Sequence, residues 1–252
     1  MQLKSRKGKT SRGRRNKSSK SKTTIHPFRA GFINIGGGWN TKSGEAVQVA
    51  QELQLDLLEV VETFQVTNSE DQLGEYTWLG RARKGKKAHG GVGFLAKTSL
   101  DPYLICHQNS DHQADITNEF QWLGINPPNS LGKVAIGICY LSPGNRRPSW
   151  NQEILEQMQV MKSTLELDGY KTMIMGDFNA DIIDNGKQPP IKAKNTQLLQ
   201  SFLSDNNMTS IHTLDTCKGR YTRMQGKHKS TLDYILVNNQ DLSTVSQAII
   251  DR

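Results

Sequence analysis

The chain of 252 residues is long enough to bury the core of one large domain, and its formal net charge is +8. Its three scattered cysteines lack CxxC spacing, which argues against a disulfide framework or a zinc site. No apolar run approaches the roughly 18 residues of a membrane span, so we expect an intracellular protein, nuclear or cytoplasmic.

The positive charge is concentrated at the start of the chain. Residues 1–24 hold ten Lys or Arg and no acid, so they contribute +10 and leave −2 for residues 25–252. Because it has almost nothing to bury, the segment 1–27 is predicted to be a disordered basic arm, followed by one domain over 28–252. Such an arm can bind nucleic-acid phosphates or act as a nuclear address, and a solvated tail is the alternative.

Short apolar or alternating runs predict most of the strands. They cover residues 31–36, 55–62, 76–79, 89–95, 134–140 and 173–176, with weaker signals near Leu104 and Trp122. Residues 63–74 are expected to form a loop. Near the end of the chain, residues 219–223 and 230–237 are predicted to pair with each other as a hairpin.

Three helices are predicted between these strands. Ser43 is expected to cap the first. The second and clearest opens at Pro148, where Ser149 and Gln152 fit a capping box and the methionines that follow are expected to fill the core. The third covers about residues 196–203. This order of elements predicts an α/β fold of mixed sheets with helices outside, which is not simply doubly wound.

Two loops carry residue types that contact phosphate in other proteins. The glycine run 36–38 lacks both the GxGxxG pattern and a Walker lysine, so it is not predicted to bind phosphate. The basic run 81–87 is predicted to be a hairpin tip, in which Arg81, Arg83 and Lys84 would contact a phosphate backbone. A solvated loop accounts for the same charges about as well.

A carboxylate and a carboxamide follow the predicted strand at 173–176. Asp177 and Asn179 lie at its carboxyl end, which is where ligands bind in α/β sheets. Two polar groups held there can face one substrate atom, one handling a proton or water and the other donating to phosphate. A polar turn after any buried strand explains the tetrapeptide Gly-Asp-Phe-Asn equally well.

Further polar residues fall within or at the ends of predicted strands. Asn34, Glu62 and Asp177 supply the oxygen ligands that Mg²⁺ takes from proteins, typically one or two carboxylates plus water and substrate phosphate. A satisfied strand amide at Asn34 and a surface acid at Glu62 are the alternatives. Asp233 lies inside an apolar run, where a buried carboxylate needs a partner.

The order of these motifs resembles the endonuclease/exonuclease/phosphatase superfamily, which includes DNase I, apurinic endonucleases and the endonucleases of non-LTR retrotransposons. The resemblance extends from about residue 28 to the end of the chain, and the retrotransposon endonucleases are the most similar branch. The matching segments are Phe32-Ile-Asn-Ile-Gly36, Val60-Val-Glu-Thr63, Ile138-Cys-Tyr-Leu-Ser-Pro143, Gly176-Asp-Phe-Asn179, Tyr221-Thr222 and the SxxDYIL segment at 230–236.

The resemblance implies a four-layered α/β sandwich, in which two packed mixed β-sheets are flanked by helices. It also implies a divalent metal site for Mg²⁺, with Mn²⁺ as the alternative ion. Glu62 would be the principal ligand of that ion, and Asn34 would lie beside it.

The other matching positions are implied to act on the substrate, which would be DNA, with RNA as the alternative. Asp177 would orient the attacking water or protonate the leaving oxygen. Asn179 and Tyr140 would contact the scissile phosphate, and Thr222 would line the site. Asp233 would orient a catalytic histidine, which would account for its burial.

One segment of the family pattern has no counterpart in the sequence. The family ends with Ser-Asp-His some twenty residues after the Asp of SxxDYIL, whereas this chain ends at Arg252, 19 residues past Asp233. None of the six histidines falls in a matching position. We therefore expect the last strand to be missing and cleavage to be weakened, since losing a general acid or base costs about 10²- to 10⁴-fold.

The sequence thus supports two hypotheses of different classes. The first is a Mg²⁺-dependent DNA endonuclease of retrotransposon origin. The second is a catalytically dead remnant that binds nucleic acid through its basic stretches. A hydrolase of inositol phosphates or sphingolipids ranks last, because the sequence carries no membrane signal.

Overall fold

The computed structural model describes residues 27–83, 90–105, 119–127, 132–144, 148–182, 194–219, 221–226 and 228–250. The predicted basic arm, apart from Pro27, lies outside the described residues, and so do Lys84 and His89. Among the described helices, none combines the length and hydrophobicity needed to cross a bilayer.

Three α-helices and fifteen strands make up the described chain, joined in places by short 3-10 turns. The helices are α1 (Trp39–Glu52), α2 (Pro148–Leu167) and α3 (Lys194–Asp205). The strands are β1 (Ala30–Asn34), β2 (Leu57–Val61), β3 (Ser69–Leu73), β4 (Tyr76–Arg81), β5 (Val92–Lys97), β6 (Tyr103–Leu104), β7 (Phe120–Ile125), β8 (Val134–Tyr140), β9 (Lys171–Asp177), β10 (Met208–Ser210), β11 (Cys217–Lys218), β12 (Arg223–Gln225), β13 (His228–Ser230), β14 (Asp233–Asn238) and β15 (Ala248–Ile249).

Most of these strands form two mixed sheets. The first has the order β1-β2-β5-β4-β3, in which β1 and β2 are parallel, and the second has the order β10-β14-β9-β8-β7-β6, in which β8 and β9 are parallel. The apolar side chains between the sheets form one core cluster to which both sheets contribute. Helix α1 covers the outer face of the first sheet, and α2 and α3 cover that of the second. The predicted four-layered sandwich of two sheets between helices is confirmed.

Strand alternation separates the inner core from the outer ones. In β2, Leu57 and Val61 point toward the second sheet, while Leu58 and Val60 pack under α1. The methionines of α2 behave as predicted, because Met158 and Met161 lie buried in the core beneath that helix. Fully burying side chains of this size stabilises the fold by about 1.5–3 kcal/mol each.

The predicted start of the first helix is wrong, and so is the predicted capping box of the second, whose start at Pro148 is confirmed. Helix α1 begins at Trp39, four residues before the expected Ser43 cap, after Gly38 in a left-handed conformation (φ 83°). The earlier start lets Trp39 stack on Trp78 in the core, with ring centroids 3.6 Å apart. Helix α2 begins at Pro148, so Ser149 lies within its first turn and does not form the predicted capping box.

The predicted loop 63–74 contains β3, which is an edge strand of the first sheet. Its sequence Ser-Glu-Asp-Gln-Leu has no apolar alternation, and its three central residues are exposed. Backbone pairing with β4, from Ser69 opposite Gly80 to Leu73 opposite Tyr76, holds this strand in place. A hydrophobic pattern could not reveal a strand with neither face buried.

The predicted pairing of residues 219–223 with 230–237 is correct only where Arg223 lies opposite Ser230, and wrong for the rest. Strand β12 pairs instead with β13 in a small hairpin, while β14 leaves it to join the second sheet between β9 and β10. The chain turns because the Thr222 hydroxyl accepts hydrogen bonds from the backbone N–H groups of Leu232 and Asp233, at 3.0 and 3.2 Å. As a result, Asp233 begins a strand of the large sheet directly opposite Asp177.

One acid lies in the core between the sheets. Glu59 is at the centre of β2 and is 0% exposed. It lies on the same face of the strand as Leu57 and Val61, which is the face toward the inner core. Neither of its carboxyl oxygens has a hydrogen-bond partner within the described part of the chain. Burial raises the pKa of Glu59 well above its ordinary value, so the folded protein keeps this carboxyl protonated.

We predict that Glu59→Leu stabilises the protein, and does so more at pH 8 than at pH 4. The unfolded chain releases this proton above its ordinary pKa of 4.5, so the wild-type free energy of unfolding falls as pH rises beyond that value. Removing an unpaired buried polar group is worth about 1–3 kcal/mol. Thermal melts of both proteins at the two pH values measure the gain. Glu45→Gln, at an exposed position of α1, is the control, and a gain independent of pH would contradict the argument.

Candidate active site

The carboxyl ends of four strands bring the predicted residues to one edge of the two sheets. In the first sheet, Asn34 ends β1 and Glu62 directly follows β2, and these two strands are parallel. In the second sheet, Tyr140 ends β8 and Asp177 ends β9, again in parallel and opposite each other in register. Because the sheets pack face to face, the four side chains converge at the same end of the sandwich.

A cavity of about 460 Å³ opens where these strand ends meet. Its lining combines seven residues predicted from the sequence with three that were not. The lining residues are Asn34, Glu62, Tyr140, Asp177, Asn179, Thr222 and Asp233, together with Pro143, Arg223 and Leu232. The carboxylates of Glu62 and Asp177 therefore belong to one cleft, as the sequence interpretation requires.

Hydrogen bonds hold the Asp177 carboxyl on both of its oxygens. Asn34 donates from Nδ2 to Oδ2 at 3.0 Å, and the backbone N–H of Asn179 donates to Oδ1 at 2.9 Å. The Oδ1 atom of Asn34 accepts in turn from the Gly36 N–H at 3.0 Å. These bonds fix the orientation of Asp177 across the gap between the two sheets.

Two acids face each other across the antiparallel pair β9 and β14. Burial raises the pKa of Asp177 to about 7, and the charge of Asp233 adds to that rise, while the bonds from Asn179 and Asn34 oppose it. Burial likewise raises the pKa of Asp233, against the Thr222 hydroxyl and the Arg223 guanidinium, which favour its charged form. Near neutral pH, Asp177 can therefore both take up and release a proton.

Tyr140 is kept as a neutral hydrogen-bond donor. Its hydroxyl donates to the Glu62 carboxylate, and burial together with this bond and the surrounding negative charges raises the pKa of Tyr140. The phenol therefore stays protonated throughout the physiological range. It links the second sheet to Glu62 in the first.

The amide of Asn179 is partly committed within the protein. Its Nδ2 donates to the carbonyl oxygen of Leu141 at 2.9 Å, which leaves one N–H for a ligand. Its backbone is left-handed, with φ 45°. This conformation is more tolerable for Asn than for most residues.

Glu62 also has left-handed backbone, with φ 53°. For a residue other than Gly, such backbone costs about 1–3 kcal/mol and persists only where the surroundings impose it. The Glu62 carbonyl accepts from the Gly37 N–H at 2.7 Å, and the next residue, Thr63, donates to the Gly91 carbonyl at 3.2 Å. These contacts aim the Glu62 side chain away from the strand direction and into the cavity.

The oxygen atoms of this edge suit a hard divalent cation. Within the described residues, no three acidic, His or Cys side chains are close enough to hold one ion together. Mg²⁺, however, is often bound by only one or two carboxylates and keeps several waters. Glu62, with the second lone pair of Asn34 Oδ1 beside it, fits that pattern.

The arginines of the basic run that were predicted to contact phosphate do not line the cavity. The Arg81 side chain lies within 3.6 Å of Glu70, and the Arg83 guanidinium lies 3.0 Å from the buried Glu119 carboxylate. Neither arginine is among the cavity-lining residues, and Lys84 lies outside the described chain. The two arginines take part in ion pairs within the fold instead.

Arg223 is the functional candidate that the sequence interpretation missed. It is exposed, lines the cavity and carries a charge that acts on Asp233. Its position directly after Thr222 was the available signal, because that threonine was already assigned to the site. Asp233 itself faces Asp177, Thr222 and Arg223 in the described structure, so its predicted role toward a histidine stays a prediction.

Comparisons with known proteins agree with this architecture. A sequence model described as the Endonuclease/Exonuclease/phosphatase family matches residues 31–251. No curated protein sequence matches the chain.

Solved structures share the fold at low sequence identity. The endonuclease domain of TRAS1, a telomere-specific non-LTR retrotransposon, is 16% identical with a TM-score of 0.60, over 86% of this chain and 88% of that one. The AP endonuclease LMAP from Leishmania major is 11% identical with a TM-score of 0.62, over 87% and 84%. The 3′ phosphatase NExo from Neisseria, bound to a product DNA hairpin, is 14% identical with a TM-score of 0.57, over 85% and 87%.

We predict that Asp233→Asn lowers the pKa of Asp177 from its value of about 7, because the charge that opposes ionisation is removed. Asn keeps an oxygen that can accept from the Thr222 hydroxyl, so the local geometry is retained. A carboxyl NMR titration without added metal measures the change. Asp168→Asn, at an exposed residue after α2, is the control, and an unchanged Asp177 titration in Asp233→Asn would refute the coupling.

Proposed function

The chain belongs to the endonuclease/exonuclease/phosphatase family, and on that premise we propose that it hydrolyses phosphodiester bonds in DNA. The observation that carries the proposal is one shared cavity lined by Glu62, Asp177 and seven further residues of the family motifs. We propose Mg²⁺ as the cofactor, with Mn²⁺ able to replace it, held by Glu62 with Asn34 beside it. Such an ion, when bound, polarises a phosphoryl oxygen and offsets the charge that develops on it.

The remaining side chains supply the proton transfer and hold the substrate. Asp177 is fixed by the bonds from Asn34 and Asn179 and titrates near neutrality, so it can accept a proton from the attacking water or donate one to the leaving oxygen. The free N–H of Asn179 would donate to a phosphate oxygen, and the Tyr140 hydroxyl would do so after turning from Glu62, to which it donates in this structure. A donor that is already in place, as the Asn179 amide is, acts without reorganisation, which is the usual source of transition-state stabilisation.

Arg223 provides a positive charge at the cavity. A guanidinium can bind two oxygens of one phosphate, so we propose that it holds the phosphate at or next to the scissile position. The charge would also partly offset the repulsion between an anionic substrate and the cluster of carboxylates in the cavity.

DNA is the favoured substrate on two grounds. Similar structures include the endonuclease domain of a retrotransposon and a 3′ phosphatase bound to a DNA hairpin. The basic stretch of the sequence at 1–24 also favours a polyanionic partner through counterion release. The likeness to the TRAS1 domain supports our proposal of retrotransposon origin, and RNA is the alternative substrate.

We predict that the protein nicks supercoiled plasmid in the presence of Mg²⁺ and that chelation abolishes the reaction. Glu62→Gln removes the principal ligand charge and is expected to lower the nicking rate by at least about 10²-fold. Glu45→Gln should leave the rate unchanged, because this residue is exposed on α1. Equal relaxation with Mg²⁺ and with chelator would refute the proposal. Salt-dependent DNA binding without any cleavage would favour the non-catalytic nucleic-acid-binding alternative.

We further predict that Arg223→Ala lowers kcat/KM for DNA by about 10- to 100-fold, the size of one charge-assisted contact of about 1.5–3 kcal/mol. Arg223→Lys should retain part of the activity, because it keeps the charge but not the two-pronged geometry. Arg29→Ala is the matched control, since this arginine is also exposed and lies just before β1, at the end of that strand opposite to Asn34 and the cavity. Steady-state kinetics on a defined duplex measure the three variants, and equal losses at Arg29 and Arg223 would argue against a specific contact.

A further inference from the structure

Two buried asparagines lie directly behind the cavity without lining it. Asn151 is the fourth residue of α2 and is 0% exposed, and Asn195 is the second residue of α3 and is 2% exposed. A fully buried amide destabilises a protein unless its hydrogen-bonding groups are satisfied. Both side chains are satisfied, mainly by the backbone of the two segments that leave β8 and β9.

Asn151 clamps the segment after β8. Its Oδ1 accepts from the Ser142 N–H at 2.9 Å, and its Nδ2 donates to the Ser142 carbonyl at 2.9 Å. The same Nδ2 group donates to Asn195 Oδ1 at 2.9 Å. Ser142 is therefore bound on both of its backbone groups, and its neighbour Pro143 forms part of the cavity wall.

Asn195 connects that segment to the one after β9. Its Nδ2 lies 3.1 Å from the Ser142 carbonyl, 3.2 Å from the Phe178 carbonyl and 3.3 Å from the Asn179 carbonyl. Two amide hydrogens are thus shared among three backbone oxygens of two different segments. A carboxylate could not donate these bonds, and an alkyl side chain would leave the carbonyls unpaired.

The tied segments are the ones that present Asp177 and Asn179. Asn179 has left-handed backbone, its side chain donates to the Leu141 carbonyl, and its N–H donates to Asp177 Oδ1. The Phe178 carbonyl, which Asn195 binds at 3.2 Å, lies in the same planar peptide unit as the Asn179 N–H, so holding that carbonyl from behind also holds the N–H that binds Asp177. Left-handed backbone at a non-glycine residue persists only where its surroundings impose it, and these amides are part of those surroundings.

We propose that Asn151 and Asn195 are positioning residues for phosphodiester hydrolysis, acting through Ser142 and Asn179 on the placement of Asp177. The inference rests on the proposed function, since it assigns the amides a part in that reaction. Neither amide lines the cavity, so neither is placed to touch the substrate. Displacing a catalytic group by about 1 Å can cost about 10²-fold in rate, so loosening these segments should lower turnover more than binding.

The kinetic experiment compares Asn195→Ala and Asn151→Ala with Asn206→Ala in the full chain. Asn206 is a matched control because it is also buried, donates to the Phe202 carbonyl at 2.8 Å, and follows the far end of α3. We expect kcat for Mg²⁺-dependent cleavage to fall about 10- to 100-fold in the first two variants, with KM changed less than about twofold. Asn206→Ala should lower the melting temperature similarly but leave kcat within about twofold of wild type.

If the two asparagines had a purely structural role, kcat would fall in step with the melting temperature in all three variants. Equal kcat losses in Asn195→Ala and Asn206→Ala at equal loss of melting temperature would overturn the proposal, as would unchanged kcat in Asn195→Ala. If Asn195→Ala fails to fold, Asn195→Ser replaces it, because the smaller polar side chain keeps one donor. The same expectations for kcat and KM then apply, and unchanged kcat would again be decisive against the proposal.

Hydrogen exchange separates failure of this inference from failure of the proposed function. Exchange at the Ser142 and Asn179 amides, followed by mass spectrometry of peptides over 139–144 and 177–182, should speed up at least about tenfold in Asn195→Ala and Asn151→Ala but not in Asn206→Ala. If the wild-type protein cleaves no DNA, the proposed function fails. Faster exchange in the two variants would still show that Asn151 and Asn195 hold these segments in place. Unchanged exchange in both segments would overturn the positioning whatever the activity.

Discussion

The pairing register of β8, β9 and β14 is the constraint on which the site depends. Tyr140, Asp177 and Asp233 stand side by side across three neighbouring strands, because β8 pairs in parallel and β14 antiparallel with β9. Side chains alternate between the two faces of a sheet. If one of these strands shifted its pairing register by one residue, its site residue would therefore point to the opposite face of the sheet. The buried apolar residues of β9 oppose such a slip, since Ile174 packs under the helices and Met175 packs between the sheets.

This arrangement concentrates features that disfavour folding at one edge of the molecule. The buried Asp177 and the partly buried Asp233 face each other, Glu62 and Asn179 have left-handed backbone, and two amides are buried behind them. The apolar clusters on both sides of each sheet offset these costs, because they remove many large apolar side chains from water. Unfavourable local geometry of this kind clusters at sites where a reaction needs groups held in place before the substrate arrives.

The site is shared between the two sheets, and hydrogen bonds cross the gap. Asn34 of the first sheet donates to Asp177 of the second, and Tyr140 of the second donates to Glu62 beside the first. Each bond joins a group proposed to hold the metal to one proposed to act on the phosphate. The relative placement of the two sheets is therefore coupled to the chemistry, and packing between them bears on function as well as on stability.

The sequence by itself determined the family, the layered α/β fold and seven of the residues that line the cavity. Those inferences depend on short apolar strands followed by polar residues, and this information is local to the chain.

Only the tertiary structure decided the features that depend on contacts between distant segments. Edge strand β3 has no buried face to leave a pattern, and β14 joins the large sheet because the Thr222 hydroxyl accepts the N–H groups where the strand begins. Arg81 and Arg83 meet acids distant in sequence instead of the cavity, while Arg223 and the amides of Asn151 and Asn195 gain their places only when separate segments pack together. Periodicity reports which face of an element is apolar, whereas the partners of a charge or an amide depend on which segments the fold brings next to it.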